Sequence, residues 1–521
     1  ESLTQPMHTG LEEKMRKKKA LYNLISSFLM QLILVLVNFI IPKLIIKNYG
    51  SSINGLINSI TQFLSYISLL ESGVASVIQA KYYKTLAEND TQTQSQIYKE
   101  SSRFFKCIGY IAIFYLIALV FIYPAIAKTD IPKQTIILLI LIISATTFSQ
   151  YFFGLVNQCL IQADQKVYVV NSIKIAANIL NILFVAILTY VHASIFYVKG
   201  ISVFVLSLIP VMMFLYTQKN YKIDKKIPRN KAILKDKWNG LGLHIAGFIH
   251  LNTDIVLLTI FSGVLEVSVY SVYAMIIAAL RSVQSAFTNS VLAAFGNMIA
   301  KKETERLRKN YIAFDHLHMM LIFCMFTVAY FMIIPFVRLY TKDITDVNYI
   351  RPLYASILLL GEAFYCQRGS YACIISAAGH FKQTMRNCYV EAIINIVISL
   401  ILVNKYGLIG VGIGTLIAMI YRAVDYIFYL SKHIVFLNIG YTFYKIFINV
   451  LAFVAIYFSL NRLNYNDISS IKDWIIFAVI TTLVSGIEFF IFNFVFCNKQ
   501  MKDIYSIFLK PFLTKVLNKT K

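Results

Sequence analysis

The chain predicts an all-α polytopic membrane protein of about fourteen transmembrane helices: two six-helix lobes related as parallel repeats, followed by a C-terminal helix pair. Three observations lead there. With 58% hydrophobic and 14% charged residues over 521 positions, there is too much apolar surface for a core surrounded by water. The apolar runs are continuous and about twenty residues or longer, which fits helices and excludes the short alternating strands of a barrel. Finally, two stretches repeat without a gap at an offset of 214: Cys159-Leu-Ile-Gln-Ala-Asp-Gln against Cys373-Ile-Ile-Ser-Ala-Ala-Gly, with Tyr151 on Tyr365, Asn181 on Asn395, Ile195 on Ile409 and Gly200 on Gly414.

The elements follow in order. A cytoplasmic segment, 1–20, precedes them, and its residues 1–6, ahead of the first methionine, read as a leftover of expression. The N-lobe, 21–216, holds runs 21–46, 52–79, 104–127, 134–157, 167–190 and 195–216. A basic cytoplasmic linker, 217–238, leads to the C-lobe, 239–431, with runs 239–262, 267–297, 314–338, 350–376, 387–404 and 408–431. Runs 444–462 and 474–497 form the appended pair, in the span 444–497. The tail, 498–521, sets Ile504, Phe508, Leu509, Phe512, Leu513 and Val516 among lysines, as an amphipathic helix on the inner membrane surface does. The offset carries the fourth, fifth and sixth runs onto the tenth, eleventh and twelfth.

Lysine and arginine orient this scheme. With the N-terminus inside, 34 of them fall in inside segments and ten in outside segments, a strong positive-inside bias that places both termini in the cytoplasm. The net charge of +24 is therefore a topological signal, and no nucleic-acid partner is expected because no binding module accompanies it. No phosphate loop, nucleophile elbow or His-x-x-His cluster is present, and the seven cysteines keep no metal or disulfide spacing. His244 and His250 are six apart and share no helix face, so no metal and no cofactor is expected. The outside loops, at about five to fifteen residues, leave little room for a catalytic domain, which argues for a transporter and against a membrane polymerase or ligase.

Charge at lipid depth is costly and normally faces a partner or a wet cavity. The cations are Lys174, Lys199, Arg281, Arg368 and Arg422, and the acids Glu71, Asp254, Glu362, Glu391, Asp425 and Glu488. Arg281 lies near the middle of its run with Gln284 at i+3, and reads either as an anion ligand or as the partner of an acid such as Asp254. Arg368 stands six positions after Glu362, a poor helical spacing for an internal salt bridge. Arg422 and Asp425, at i and i+3, make a ready local ion pair. Asn171, Lys174, Asn178 and Asn181 step by three, four and three along one face, and Glu391 and Asn395 answer them in the second copy. The substrate-binding candidates are thus Arg281, Arg368, Lys174, Asn178, Asn181 and Gln284. The coupling or gating candidates are Glu71, Asp254, Glu391 and Asp425.

Several passages add a family resemblance: Leu64-Ser-Tyr-Ile-Ser-Leu-Leu-Glu-Ser-Gly with Lys81-Tyr-Tyr-Lys, Asn252-Thr-Asp-Ile-Val-Leu-Leu with Val269-Tyr-Ser-Val-Tyr, and Gly407-Leu-Ile-Gly-Val-Gly-Ile-Gly-Thr. In these the chain resembles the oligosaccharide flippases of the multidrug/oligosaccharidyl-lipid/polysaccharide exporter superfamily. The resemblance implies export of a polyprenyl-pyrophosphate-linked oligosaccharide from inner to outer leaflet by alternating access, in capsule or surface polysaccharide assembly in a bacterial cell membrane. It also implies membrane lipids and other polysaccharide-assembly proteins as partners. Arg281 fits the position of a pyrophosphate-binding arginine that the lipid II branch carries on its eighth helix. The first run departs from that branch, with no arginine and only Lys43 and Lys47 at its outer end. A lipid II type flippase and a cation-coupled drug exporter of the same superfamily are the alternatives. A head group with about two negative charges leaving a negative-inside cell gains ~2.3 kcal/mol per charge per 100 mV, so the membrane potential can drive export; proton or sodium coupling is the other route.

Overall fold

In the computed structural model, residues 5–71, 73–224, 226–228, 230–234, 248, 252–462, 468–511 and 514 are described, with side chains from 18 onward. The described chain is helical. In order it forms α1 (Gln5–Tyr49), α2 (Ser51–Ser65), a 3-10 stretch (Tyr66–Glu71), α3 (Val74–Ala87), α4 (Thr91–Ile126), α5 (Lys133–Ser149), a π turn (Gln150–Gly154), α6 (Leu155–Ala163), α7 (Val167–Tyr190) and α8 (Ile195–Asn220). Then come α9 (Asn252–Ser262), α10 (Val264–Ala300), α11 (Thr304–Tyr340), α12 (Pro352–Gln367), α13 (Gly369–Ala377), α14 (Phe381–His433), α15 (Ile439–Leu460), α16 (Ile471–Phe496) and α17 (Asn498–Ile504).

Helix ends repeat at the offset seen in the sequence. Adding 214 to the last residues of α4 and α6 gives the last residues of α11 and α13, and adding it to the first residue of α7 gives the first of α14. The interruptions repeat too. The π turn ends at Gly154, and the break between α12 and α13 falls at Arg368, 214 positions later.

The chain divides into two compact units, Glu1–Phe248 with Gly263–Ser268, and Ile249–Ser262 with Val269–Lys521. In the first, Leu56, Ile60, Val74, Ile78, Tyr123, Ile140 and Val198 share one core. The Tyr123 hydroxyl donates to Ser59 Oγ at 2.7 Å, which satisfies a phenol that has no water to turn to. Gly55 lets backbones meet: a Cβ there would lie 1.7 Å from the Val264 carbonyl oxygen. Between α2 and α3 the helix bends by 46° near Glu71 and Gly73, whose φ of +81° suits glycine.

In the second unit one core gathers Phe295, Leu307, Tyr311, Phe314, Tyr371, Ile374 and Leu430, and Phe508 of the tail packs against it. Another joins the appended helices to α11 through Phe331, Met332, Ala452, Ile456 and Phe489.

The expected count of fourteen spans is not reached by length and apolarity. Among the described residues ten helices pass, or eleven when the bent pair around Glu71 is taken as one. Two physical causes account for part of the difference. The break at Arg368 leaves α12 and α13 each too short alone, and the 53-residue α14 contains non-helical Gly407 (φ +51°, ψ −125°). There the chain turns back, since Asn395 donates to Thr415 Oγ1 at 2.9 Å although twenty residues of straight helix would hold them ~30 Å apart. Half of the expected run 239–262, including His244 and His250, lies outside the described residues, as do parts of the linker and the tail residues Phe512, Leu513 and Val516. Lys445, at the start of the expected run 444–462, is buried within α15.

Candidate functional site

The intramembrane charges of the second unit form one connected chain of arginines and carboxylates. Arg281 of α10 reaches Glu362 of α12, with Nε donating to Oε2 at 2.6 Å and Nη2 to Oε1 at 2.5 Å. The two parallel bonds are the fork geometry a guanidinium offers a carboxylate. On α12 the next inward side chain is Tyr365, whose ring has Arg281 on it at 4.5 Å and Arg368 at 4.6 Å from the centroid. Arg368 Nη1 donates to Glu391 Oε1 at 2.8 Å, and the other oxygen of Glu391 lies 3.3 Å from Arg422 Nε. Arg422, wholly buried, donates through Nη1 to Asp425 at 2.8 Å and stacks on Tyr426 at 4.1 Å; Asp425 also accepts from Asn387.

Helix geometry explains why these residues meet. The Gly407 reversal lays the two arms of α14 side by side, so Glu391 on one faces Arg422 on the other. Arg368 stands at the break between α12 and α13, and the next residue, Gly369, leaves room for Gln284: a Cβ there would lie 1.9 Å from Gln284 Nε2. A cavity of about 270 Å³ opens at this point, with Arg368, Gln284, Thr288, Tyr365 and Tyr426 in its lining. The guanidiniums keep donors to spare. Arg281 commits Nε and one hydrogen of Nη2, and Arg368 commits Nη1, out of five N–H each.

Asp254 joins a different set. Asn395 donates to Thr415 Oγ1, Thr415 donates to Asp254 Oδ2 at 3.3 Å, and Tyr270 reaches the same carboxylate at 3.4 Å. The pairing considered for Arg281 therefore goes to Glu362, not Asp254, because α12 brings a carboxylate into fork range. The i,i+3 pair of Arg422 with Asp425 forms as the spacing predicts. Arg281, Arg368, Gln284, Glu391 and Asp425 thus come together.

The remaining candidates belong to the first unit. The polar face of α7 turns in part toward α1, where Asn171 donates to Ser26 Oγ at 3.2 Å and Ser27 Oγ at 3.1 Å. Asn178 donates to the Lys174 carbonyl of its own helix. Asn181 is buried, and Lys174 is half-buried with no ion pair among the described residues. Glu71 stands near the Tyr151 hydroxyl with its Oε2 buried and unbonded.

Sequence reasoning missed Tyr365, Tyr426 and Thr415, and also a buried pair elsewhere in the unit. Lys445 of α15 reaches Asp315 Oδ2 of α11, whose Oδ1 accepts from Ser370 at 2.8 Å; both charges are at most 2% exposed. The available signal was Asp315 itself, a carboxylate just inside the start of the apolar run 314–338.

No protein-family model and no curated protein sequence matches the chain. Solved structures do match. The fold is similar to that of the lipid II flippase MurJ in an inward closed conformation, at 15% identity and a TM-score of 0.69, covering 92% of this chain and 99% of that one. An inward-facing multidrug resistance MATE family transporter of the MOP superfamily gives 16% and 0.60, covering 75% and 92%. A MOP superfamily transporter from Pyrococcus furiosus gives 15% and 0.57, covering 79% and 94%. At these identities the likeness is one of architecture: this is a multi-pass membrane chain with the helical fold of MOP superfamily transporters.

Proposed function

We propose that the chain is a flippase for a lipid whose head is an anionic pyrophosphate-linked saccharide. The observation that carries this reading is the gathering of Arg281 and Arg368 on one ring, that of Tyr365, with unused N–H donors and a cavity beside Arg368. Guanidiniums held by packing and paired carboxylates cost little to organise when a pyrophosphate arrives, and their planar forks match its oxygens. Glu362 and Glu391 then serve as resident counter-ions that keep the arginines charged and soluble in the apolar interior while the site is empty. The membrane potential suffices to bias export of the anionic head.

Among the alternatives, a lipid II type flippase stands nearer than a drug exporter. The likeness to the lipid II flippase takes in 92% of the chain, against 75% for the MATE transporter, and so extends further along it. Farnesyl pyrophosphate, a short polyprenyl pyrophosphate, is the probe. Binding to the purified chain should weaken by at least about tenfold in Arg281→Ala and Arg368→Ala. Unchanged binding in both would remove the pyrophosphate role. Export of a fluorescent lipid-linked saccharide from reconstituted vesicles then separates lipid II from capsule-type heads.

A second reading is a cation-coupled exporter, favoured by Asp254, a buried carboxylate held by two hydroxyls with no cation in contact among the described residues. Proton-gradient-dependent dye efflux, lost in Asp254→Asn, would support it over the flippase.

A further inference from the structure

We propose that a pocket in the first unit, on the flank of α4, binds an anionic membrane phospholipid. Along α4, Lys99, Arg103 and Lys106 step by four and three and share one face. The same steps continue through Tyr110, Phe114, Ile117 and Phe121, which are exposed, Phe114 and Phe121 to 73% and 75%. One helix face thus passes from three cations to a lipid-facing apolar stripe.

Beside that transition lies a cavity of about 660 Å³. The π turn at Gln150–Gly154 builds its wall by adding a residue to the helical repeat, which swings Phe152 and Phe153 to its rim. Phe152 meets Tyr110 edge to face at 5.5 Å and Phe153 meets Phe214 at 6.0 Å. Gly109 gives Phe152 its seat, since a Cβ there would lie 3.0 Å from the ring.

Two of the three cations of the pocket, Arg103 and Lys106, are in no ion pair among the described residues, and Lys99 donates to the Ile227 carbonyl at 2.8 Å. The acid in the lining, Asp224, is turned to its own loop, its Oδ1 accepting from the Lys226 N–H at 2.8 Å. Glu100, next to Lys99, is buried.

An inorganic phosphate would use the cations and leave the aromatic groove empty. A zwitterionic lipid would use the groove and gain little from the cations. A phospholipid with net negative charge uses both, its phosphate on Arg103 and Lys106 and an acyl chain along Tyr110, Phe114 and Phe121.

Cys107 lines this pocket and is exposed, whereas the other six cysteines are buried or half-buried, so its alkylation reports on occupancy. In the full chain in mild detergent, phosphatidylglycerol should slow maleimide labelling of Cys107 several-fold, and phosphatidylcholine or inorganic phosphate should not. Arg103→Gln with Lys106→Gln should raise the phosphatidylglycerol needed for half-protection by roughly 10- to 30-fold. Arg103→Lys should retain protection, and Lys301→Gln with Lys302→Gln, on another basic turn, should leave it unchanged. Retention of phosphatidylglycerol in native mass spectrometry should follow the same order. Equal protection by phosphatidylcholine, protection by phosphate alone, or protection indifferent to the Arg103 and Lys106 changes would each overturn the proposal.

Discussion

Arg281 and Glu362 meet through two parallel hydrogen bonds that join α10 to α12 across 81 residues of chain. Glu362 is 3% exposed and Arg281 28%, so the pair is sheltered on its acid side. Removing one partner of such a pair strands the other. Arg281→Ala should destabilise the chain by ~3–5 kcal/mol, and Glu362→Gln by less because the amide still accepts. The double variant should cost less than the sum of the two, a coupling that chemical unfolding in detergent would measure. Strict additivity would mean that the pair does not hold the helices together.

Tyr365 meets two like charges with one ring. Both guanidiniums lie within 4.6 Å of the ring centroid, so the ring rather than the hydroxyl is expected to be the working part. Tyr365→Phe should keep farnesyl pyrophosphate affinity within about threefold, while Tyr365→Leu should lower it by roughly five- to thirtyfold, on the scale of two lost cation–π contacts of ~0.5–1 kcal/mol each. Calorimetric titration of the purified variants decides the order. Equal losses in the two would move the role to the hydroxyl.

Lys445 fastens the appended helices to the rest of the second unit. Its charge is buried against Asp315, which Ser370 of α13 also holds, so α15, α11 and α13 share one anchor. Lys445→Met leaves Asp315 as an uncompensated buried charge and should cost ~3–5 kcal/mol; Asp315→Leu with Lys445→Met should recover most of it. Thermal unfolding measures both. Protease cleavage in the segment 434–438, before α15, should speed up in the single variant and return toward normal in the double.

Local spacing carried as much of this as it could. Arg422 and Asp425 pair as their i,i+3 positions predict, and helix ends recur at 214 because each copy repeats the same lengths of apolar run. The acid for Arg281 was not legible. Asp254 and Glu362 are equally plausible in one dimension, and only the packing of α12 selects the second. The face through Asn171, Lys174, Asn178 and Asn181 was visible, but not its direction, and Asn171 turns out to bond α1. Lys445 falls at the edge of the expected run 444–462, and nothing in one dimension pairs it with Asp315, 130 residues away. Tyr365 was one of 34 tyrosines, and its place beside two arginines depends on the break at Arg368.

The turn at Gly407 brings Glu391 and Arg422 together, and it depends on a conformation open to glycine. At φ +51° and ψ −125° a Cβ clashes with its own backbone, and the nearest outside atom, Ser262 Oγ, is 3.6 Å from where it would stand. The strain is therefore local, and Gly407→Ala should cost ~1–3 kcal/mol with few new contacts disturbed. Three residues on, Gly410→Ala acts differently. There φ is helical, but a Cβ would lie 2.6 Å from the Leu402 carbonyl, so the two arms must separate. If the arms set the distance from Glu391 to Arg422, Gly410→Ala should weaken farnesyl pyrophosphate binding more than Gly407→Ala does at equal loss of melting temperature. A binding loss that simply tracks stability in both variants would show that the arms act only as scaffold.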